Sequence, residues 1–160
     1  MNELMKIHGI GKVKAIELVC ICEIARRIST MTHKPLISFT SPESVANYFM
    51  ESMRYLTREE IHMLMFDGKH QLIDEVYLAK GTINQASTSP REIFVEALKA
   101  EACFIIIVHN HPSGNPTPSK EDIIFTHTVK EAGDLIGIKL SDHIIIGDNI
   151  YISLCERGLM

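Results

Sequence analysis

Two histidines spaced two apart at the end of an apolar run, with an acid shortly after them, are the residues through which this chain could do chemistry. They lie in His109-Asn110-His111-Pro112-Ser113-Gly114-Asn115-Pro116-Thr117-Pro118-Ser119-Lys120-Glu121-Asp122, directly after Phe104-Ile105-Ile106-Ile107-Val108. The apolar run reads as a buried strand, and side chains two apart on a strand face the same way. His109 and His111 therefore converge as the strand ends. A loop stiffened by Pro112, Pro116 and Pro118, with Gly114 among them, leads to Ser119 and Asp122 at the predicted start of a helix. Two imidazoles and one carboxylate are the protein ligands of an open catalytic zinc site, whose fourth position is left to water. A structural zinc site wants four ligands, usually with thiolates, and this segment has no cysteine. The segment predicts one zinc ion held by His109, His111 and Asp122, and metal-activated hydrolysis.

A plainer account covers part of the same residues. Ser119 suits a helix N-cap, and Asp122 is an acid in the first turn, where the helix dipole favours negative charge. Capping explains Ser119 and Asp122 and leaves two histidines after a buried strand without a role. The metal site accounts for all four, and the two roles can coexist.

The pattern His-x-His-Pro, then seven residues between His111 and Ser119, then Ser-x-x-Asp, resembles the JAMM motif of the JAB/MPN metalloenzymes. The HNHPSG string, the element Ser119-Lys120-Glu121-Asp122 and the later Asp142-His143-Ile144-Ile145-Ile146-Gly147 resemble the RadC branch in particular. So do Gly81-Thr82-Ile83 and Ser89-Pro90-Arg91-Glu92-Ile93-Phe94. The resemblance covers roughly residues 5–160. It implies an α/β sandwich of the JAB/MPN, cytidine-deaminase-like type and a zinc-dependent hydrolase that cleaves peptide or isopeptide bonds in relatives. Asn110 stands where deubiquitinating relatives carry serine or threonine. That matches the RadC branch and argues against a ubiquitin-like substrate.

Such a hydrolase needs a carboxylate that takes the proton of the activated water and delivers it to the leaving amine. In relatives this glutamate precedes the first core strand, a place occupied here by Glu59 and Glu60. The RadC-type register, counted back from Asp67, implies Glu59, and alternation puts Glu59 on the face of Ile61, Met63 and Met65. Glu60 stays open as the alternative. Ser119 is implied as the donor to the oxyanion of the tetrahedral intermediate. His62 is expected to point away from the face of Glu59, His127 to sit off the ligand face of its helix, and His143 to be a buried, hydrogen-bonded structural residue.

The remaining elements must position these groups. Residues 13–28 show helical apolar spacing, with Arg26-Arg27 placed to favour the helix C-terminus. Linker signals follow over residues 29–39. Ser41-Pro42-Glu43 opens a helix to about residue 54, with Ser41 as N-cap and Pro42 at the first helical position. Residues 61–66 and 71–78 read as strands about a turn at Asp67-Gly68-Lys69. Ser89-Pro90 opens a helix to about residue 100, and another is expected over residues 119–135. Residues 139–146 and 149–153 read as closing strands around Gly147-Asp148. Mixed strands and helices, with hairpins rather than strict alternation, argue for the α/β sandwich. The predicted organisation is a helical segment, residues 1–38, followed by the catalytic domain, residues 39–160.

Composition bounds what remains. A chain of 160 residues with 46% hydrophobic residues can bury a real core. No apolar run approaches the ~20 residues that span a bilayer, and no signal-peptide stretch stands at the start. Cys20, Cys22, Cys103 and Cys155 have neither disulfide-framework nor redox spacing, so a reducing cytoplasm is the expected compartment. Two of them sit in apolar context, where free cysteine acts as a small hydrophobe. The net charge is −4, with six Lys/Arg against three acids in residues 1–38. An acidic chain is a poor non-specific binder of nucleic acid. Any DNA contact falls to Ile7-His8-Gly9-Ile10-Gly11-Lys12-Val13-Lys14-Ala15, which resembles the hairpin of a helix-hairpin-helix element. Its Gly-Ile-Gly turn and following helix N-terminus could meet a phosphate. The association of the RadC name with DNA repair gives a second reading, a DNA-associated metal-binding module with weak or no hydrolysis. The complete set of Glu59, His109, His111, Ser119 and Asp122 favours the enzyme, acting on a peptide or protein substrate.

Overall fold

Ser-Pro helix starts and alternating apolar strands account for most of the elements. The computed structural model describes residues 3–31, 39, 41–80 and 89–160. The chain divides into two units, Met1–Leu36 and Ile37–Met160. In the first, a single 3₁₀ turn at Leu4–Lys6 precedes α1, Lys12–Met31. The turn between them closes with Ile10 N–H on the Ile7 carbonyl at 3.1 Å, and Gly9 takes the left-handed φ of 86° that suits glycine. Lys14 donates to the Gly9 carbonyl at 3.3 Å and so braces the turn that precedes its own helix. Arg26 and Arg27 reach back to Glu23 at 2.8 Å. The helix runs past them, so they do not mark its end. The predicted linker therefore loses residues 29–31 to α1, and residues 32–38 lie outside the described residues.

In the second unit, α2 (Pro42–Met53) begins as its residues predict. Ser41 and Ser44 exchange N–H to hydroxyl bonds at 3.3 Å in a reciprocal cap. β1 (Glu60–Phe66) and β2 (Leu72–Lys80) form an antiparallel hairpin. Its loop is longer than a tight turn: Asp67 accepts the N–H groups of Lys69 and Gln71 at 2.8 and 2.9 Å, and His70 sits at a φ of 63°. The Gly81-Thr82-Ile83 segment lies outside the described residues. α3 (Pro90–Lys99), β3 (Phe104–Asn110), α4 (Lys120–Ile136), β4 (Lys139–Ile146) and β5 (Tyr151–Ser153) complete the chain.

The sheet runs β2-β1-β3-β4-β5 and is mixed. β3 and β4 pair in parallel with α4 as their crossover, and the other pairs are antiparallel. Both faces are covered, which explains why β3 is apolar almost without interruption. On one face α3 and α4 bring Ile93, Phe94, Phe125 and Val129 against Ile61, Met63, Ile105 and Ile107. On the other, α2 packs Val45, Phe49 and Met53 against Leu64, Phe66, Val108 and Ile144. This is the α/β sandwich expected. All four cysteines are free and exposed, so none acts as the small core hydrophobe expected of two of them. Among the described residues, no helix is long and apolar enough to cross a membrane.

Candidate metal centre

The site forms where β3 ends and α4 begins. β3 extends two residues past its apolar run, so His109 is its penultimate residue. Ile61 is its partner across the ladder and Ile145 its neighbour on β4. Alternation from Ile105 and Ile107 aims His109 at the α4 side of the sheet, and it is fully buried. His111 is tied by its backbone N–H to the Ile146 carbonyl at 2.9 Å. The loop that follows is clamped against the turn between β4 and β5. Asp148 N–H donates to the Gly114 carbonyl at 2.9 Å, and Gly147 lies so close that a Cβ would come within 2.4 Å of that oxygen. Only glycine fits there, which explains why the apolar run of β4 stops at Gly147.

Asp122 is delivered by the cap of α4. Ser119 N–H and Ser119 Oγ both donate to Asp122 Oδ2 at 2.7 Å, and Asp122 N–H donates back to Ser119 Oγ at 3.1 Å. The cap fixes the carboxylate, with Oδ1 3.3 Å from His109 Nε2 and Oδ2 3.3 Å from His111 Nε2. The two Nε2 atoms are 3.0 Å apart. Capping and metal geometry thus coexist in the same residues.

The donor set fits a tetrahedral divalent ion. Bonds of about 2.0–2.1 Å at tetrahedral angles separate ligand atoms by about 3.3 Å; the two Nε2 atoms lie 3.0 Å apart and each lies 3.3 Å from a different oxygen of Asp122, so the carboxylate faces both imidazoles. The His111 Nδ1–H donates to the Asn115 carbonyl at 2.9 Å, which leaves the lone pair of a neutral His111 on Nε2. A carboxylate and imidazole nitrogens converging this closely call for a cation among them. The titration behaviour agrees. Burial pushes Asp122 up, but hydrogen bonds with His109 and His111 outweigh it and hold the carboxyl well below its usual range. Burial pushes His111 down, yet the bonds to Asp122 and Asn115 and the nearby Glu59 charge raise it overall. A proton is drawn to the point where a metal would sit. Among the described residues, His109, His111 and Asp122 are a group able to hold an ion.

Glu59 is half-buried and immediately precedes β1, close enough for its charge to act on His111. Glu60 is also half-buried and opens the strand. Asn110, 1% exposed, accepts the Glu60 N–H at 2.8 Å and donates to the Arg58 carbonyl at 3.2 Å, which fixes the backbone on both sides of Glu59. Its role was not legible from the chain, where Asn110 only marked the RadC branch.

The other histidines separate as expected. His62 lies on the α2 side of the sheet, 3.1 Å from Glu75 and beside the Phe49 ring. His127 is exposed on α4. His143 is fully buried and keeps a pKa well below the ordinary imidazole value, from burial first and the neighbouring His109 second. Its Nε2 lies 2.8 Å from His109 Nδ1, a contact that the sequence did not reveal, although a histidine inside an apolar strand was a signal. Asp142 accepts the His143 and Cys155 N–H groups and the Ser153 hydroxyl, and burial raises its pKa despite them. Glu92 is engaged in the cap of α3, with Ser89 N–H on its carboxylate at 2.9 Å.

Comparison with known proteins agrees with this geometry. The family described as RadC-like JAB domain matches residues 39–159. The UPF0758 protein BH3032 of Halalkalibacterium halodurans is 45% identical over 158 residues, which cover 99% of this chain and 68% of that protein. A UPF0758 protein of Pelobacter propionicus is 43% identical over 160 residues, covering 100% and 70%. One from Clostridium botulinum is 46% identical over 160 residues, covering 99% and 69%. Their names state no activity. With its mixed five-stranded sheet and a His-His-Asp group at the end of β3, the chain belongs to the RadC-like JAB domain family.

Proposed function

We propose that the chain is a zinc-dependent hydrolase that cleaves a peptide or isopeptide bond in a peptide or protein substrate. The observation that carries this reading is the convergence of two imidazole nitrogens, 3.0 Å apart, on a carboxylate whose two oxygens each lie 3.3 Å from one of them, with a half-buried glutamate nearby. When bound, one zinc ion supplies a Lewis acid that makes water acidic near neutral pH and polarises a carbonyl. His109, His111 and Asp122 would hold it, and no fourth His, Cys, Asp or Glu joins them among the described residues. Glu59 takes the proton of the attacking water and passes it to the leaving amine. Ser119 has one hydroxyl hydrogen, committed to Asp122 in this geometry. To meet the oxyanion it turns away, and the Ser119 N–H keeps Asp122 in place. Four free cysteines suit a reducing cytoplasm.

The test is a panel of peptide-linked and isopeptide-linked substrates offered to the full chain, zinc-loaded and metal-free, with release of the new amine as the readout. Cleavage that depends on zinc supports the enzyme. A chain that binds zinc and cleaves nothing in the panel would favour the DNA-associated metal-binding module, with contact through residues 7–15.

A further inference from the structure

His109 has two ring nitrogens, and the partner of one decides whether the other is free to ligate. Its Nδ1 lies 2.8 Å from His143 Nε2. His143 Nδ1 lies 2.6 Å from Thr126 Oγ1, and Thr126 Oγ1 lies 2.6 Å from the backbone carbonyl of Asp122. The last link sets the direction of the whole chain. A carbonyl oxygen only accepts, so the single hydroxyl hydrogen of Thr126 points to Asp122. Thr126 therefore accepts from His143, whose Nδ1 carries the hydrogen. His143 is 0% exposed, and an imidazolium there, next to a site that gathers positive charge, would be costly. Neutral and protonated on Nδ1, it accepts at Nε2 from the Nδ1–H of His109. His109 is left with its Nε2 lone pair facing His111 and Asp122.

We propose that Thr126 and His143 are positioning residues of the metal centre, which lock His109 in the tautomer that presents Nε2 as a ready ligand. The proposal rests on the metal-binding reading of His109, His111 and Asp122. It adds that Asp122 acts twice, through its carboxylate at the ion and through its backbone carbonyl as the anchor of the relay. Asp122 Oδ1 faces the His109 Nε2 lone pair at 3.3 Å, two electron donors that a cation between them would satisfy. The sequence spacing has a reason in this relay. Thr126 is one helical turn beyond Asp122, so its hydroxyl reaches the i−4 carbonyl, and His143 stands on the strand beside β3, opposite Ile107.

The experiment uses the ¹⁵N-labelled full chain, zinc-free, at about pH 9, well above the ordinary imidazole value. Long-range ¹H–¹⁵N correlation spectra of the wild type should show His109 and His143 each protonated on Nδ1. His109 protonated on Nε2 would overturn the relay. Thr126→Val removes the hydroxyl at nearly constant shape and should weaken zinc affinity by about 10-fold to 100-fold, the range found for outer-shell partners of metal ligands. Thr126→Ser should restore it. Zinc affinity unchanged in Thr126→Val, with His109 still on Nδ1, would also overturn the proposal. A wild type that takes no zinc would instead defeat the metal reading, and the tautomer spectrum of the zinc-free chain would still judge the relay.

Discussion

Asn110 holds Glu59 by the backbone on either side of it, accepting the Glu60 N–H at 2.8 Å and donating to the Arg58 carbonyl at 3.2 Å. Ile61 opposite His109 is the last pair of the β1–β3 ladder, and the Asn110 side chain continues the bonding one step beyond it. The strand entry that carries the proposed base is thereby fixed to the strand that carries a metal ligand. Asn110→Leu removes the side-chain partner of the Glu60 N–H and of the Arg58 carbonyl and should cost about 1–3 kcal/mol, read by chemical denaturation. Zinc content should stay at the wild-type level, since no ligand is touched. Wild-type stability in the variant would mean that the bracket does not hold the strand entry.

Glu59→Gln keeps shape and hydrogen-bonding ability but cannot accept a proton. Zinc content and folding should be nearly unchanged, while hydrolysis of any substrate found is lost. Glu60→Gln should leave hydrolysis largely intact, because alternation turns that side chain from the face of Ile61 and His109. The reverse pattern of activities would move the role to Glu60.

The pH dependence of zinc binding follows from His111, whose pKa lies above the ordinary imidazole value. Above that raised pKa no proton competes at Nε2, and affinity should be flat. Below it one proton must leave for each ion bound, so affinity should fall about tenfold per pH unit. Titrations with a competing chelator across this range would expose the slope. A flat profile through the imidazole range would remove His111 from the ligand set.

Gly147→Ala should act on the metal loop from outside it. Its Cβ would press the Gly114 carbonyl at 2.4 Å and Pro116 Cδ at 2.6 Å, pushing aside the loop that follows His111. A loss of about 1–3 kcal/mol in stability is expected from such overpacking, together with weaker zinc binding. Thermal melts with and without zinc measure both, and an unperturbed variant would show that the loop yields freely.

A chain beginning near Ser38 should fold and retain zinc, because every proposed ligand lies in the unit Ile37–Met160. Insolubility of that shorter chain would show that α1 belongs to the core. For the full chain, duplex DNA binding over a salt series should have a shallow slope, reflecting few phosphate contacts. A steep slope abolished by Lys12→Ala with Lys14→Ala would favour the DNA-associated reading.

What the sequence determined by itself was local. Period-two spacing put His109 and His111 on one face, and the serines at positions 41, 89 and 119 marked three helix starts that the structure keeps as reciprocal caps. Such signals depend on neighbours within a few residues, and the chain states them directly. The ends of α1 and the long β1–β2 loop were less legible, because side-chain bonds such as those of Asp67 can reshape a turn without changing its composition. Only the tertiary structure decided which distant groups meet. The parallel pairing of β3 with β4 brings His143 against His109, separated by 34 residues, and Asn110 reaches back 50 residues to Glu60. Nothing local prefers those partners. They are selected because burying both faces of the sheet leaves each enclosed polar group with only the partners that the strand order supplies.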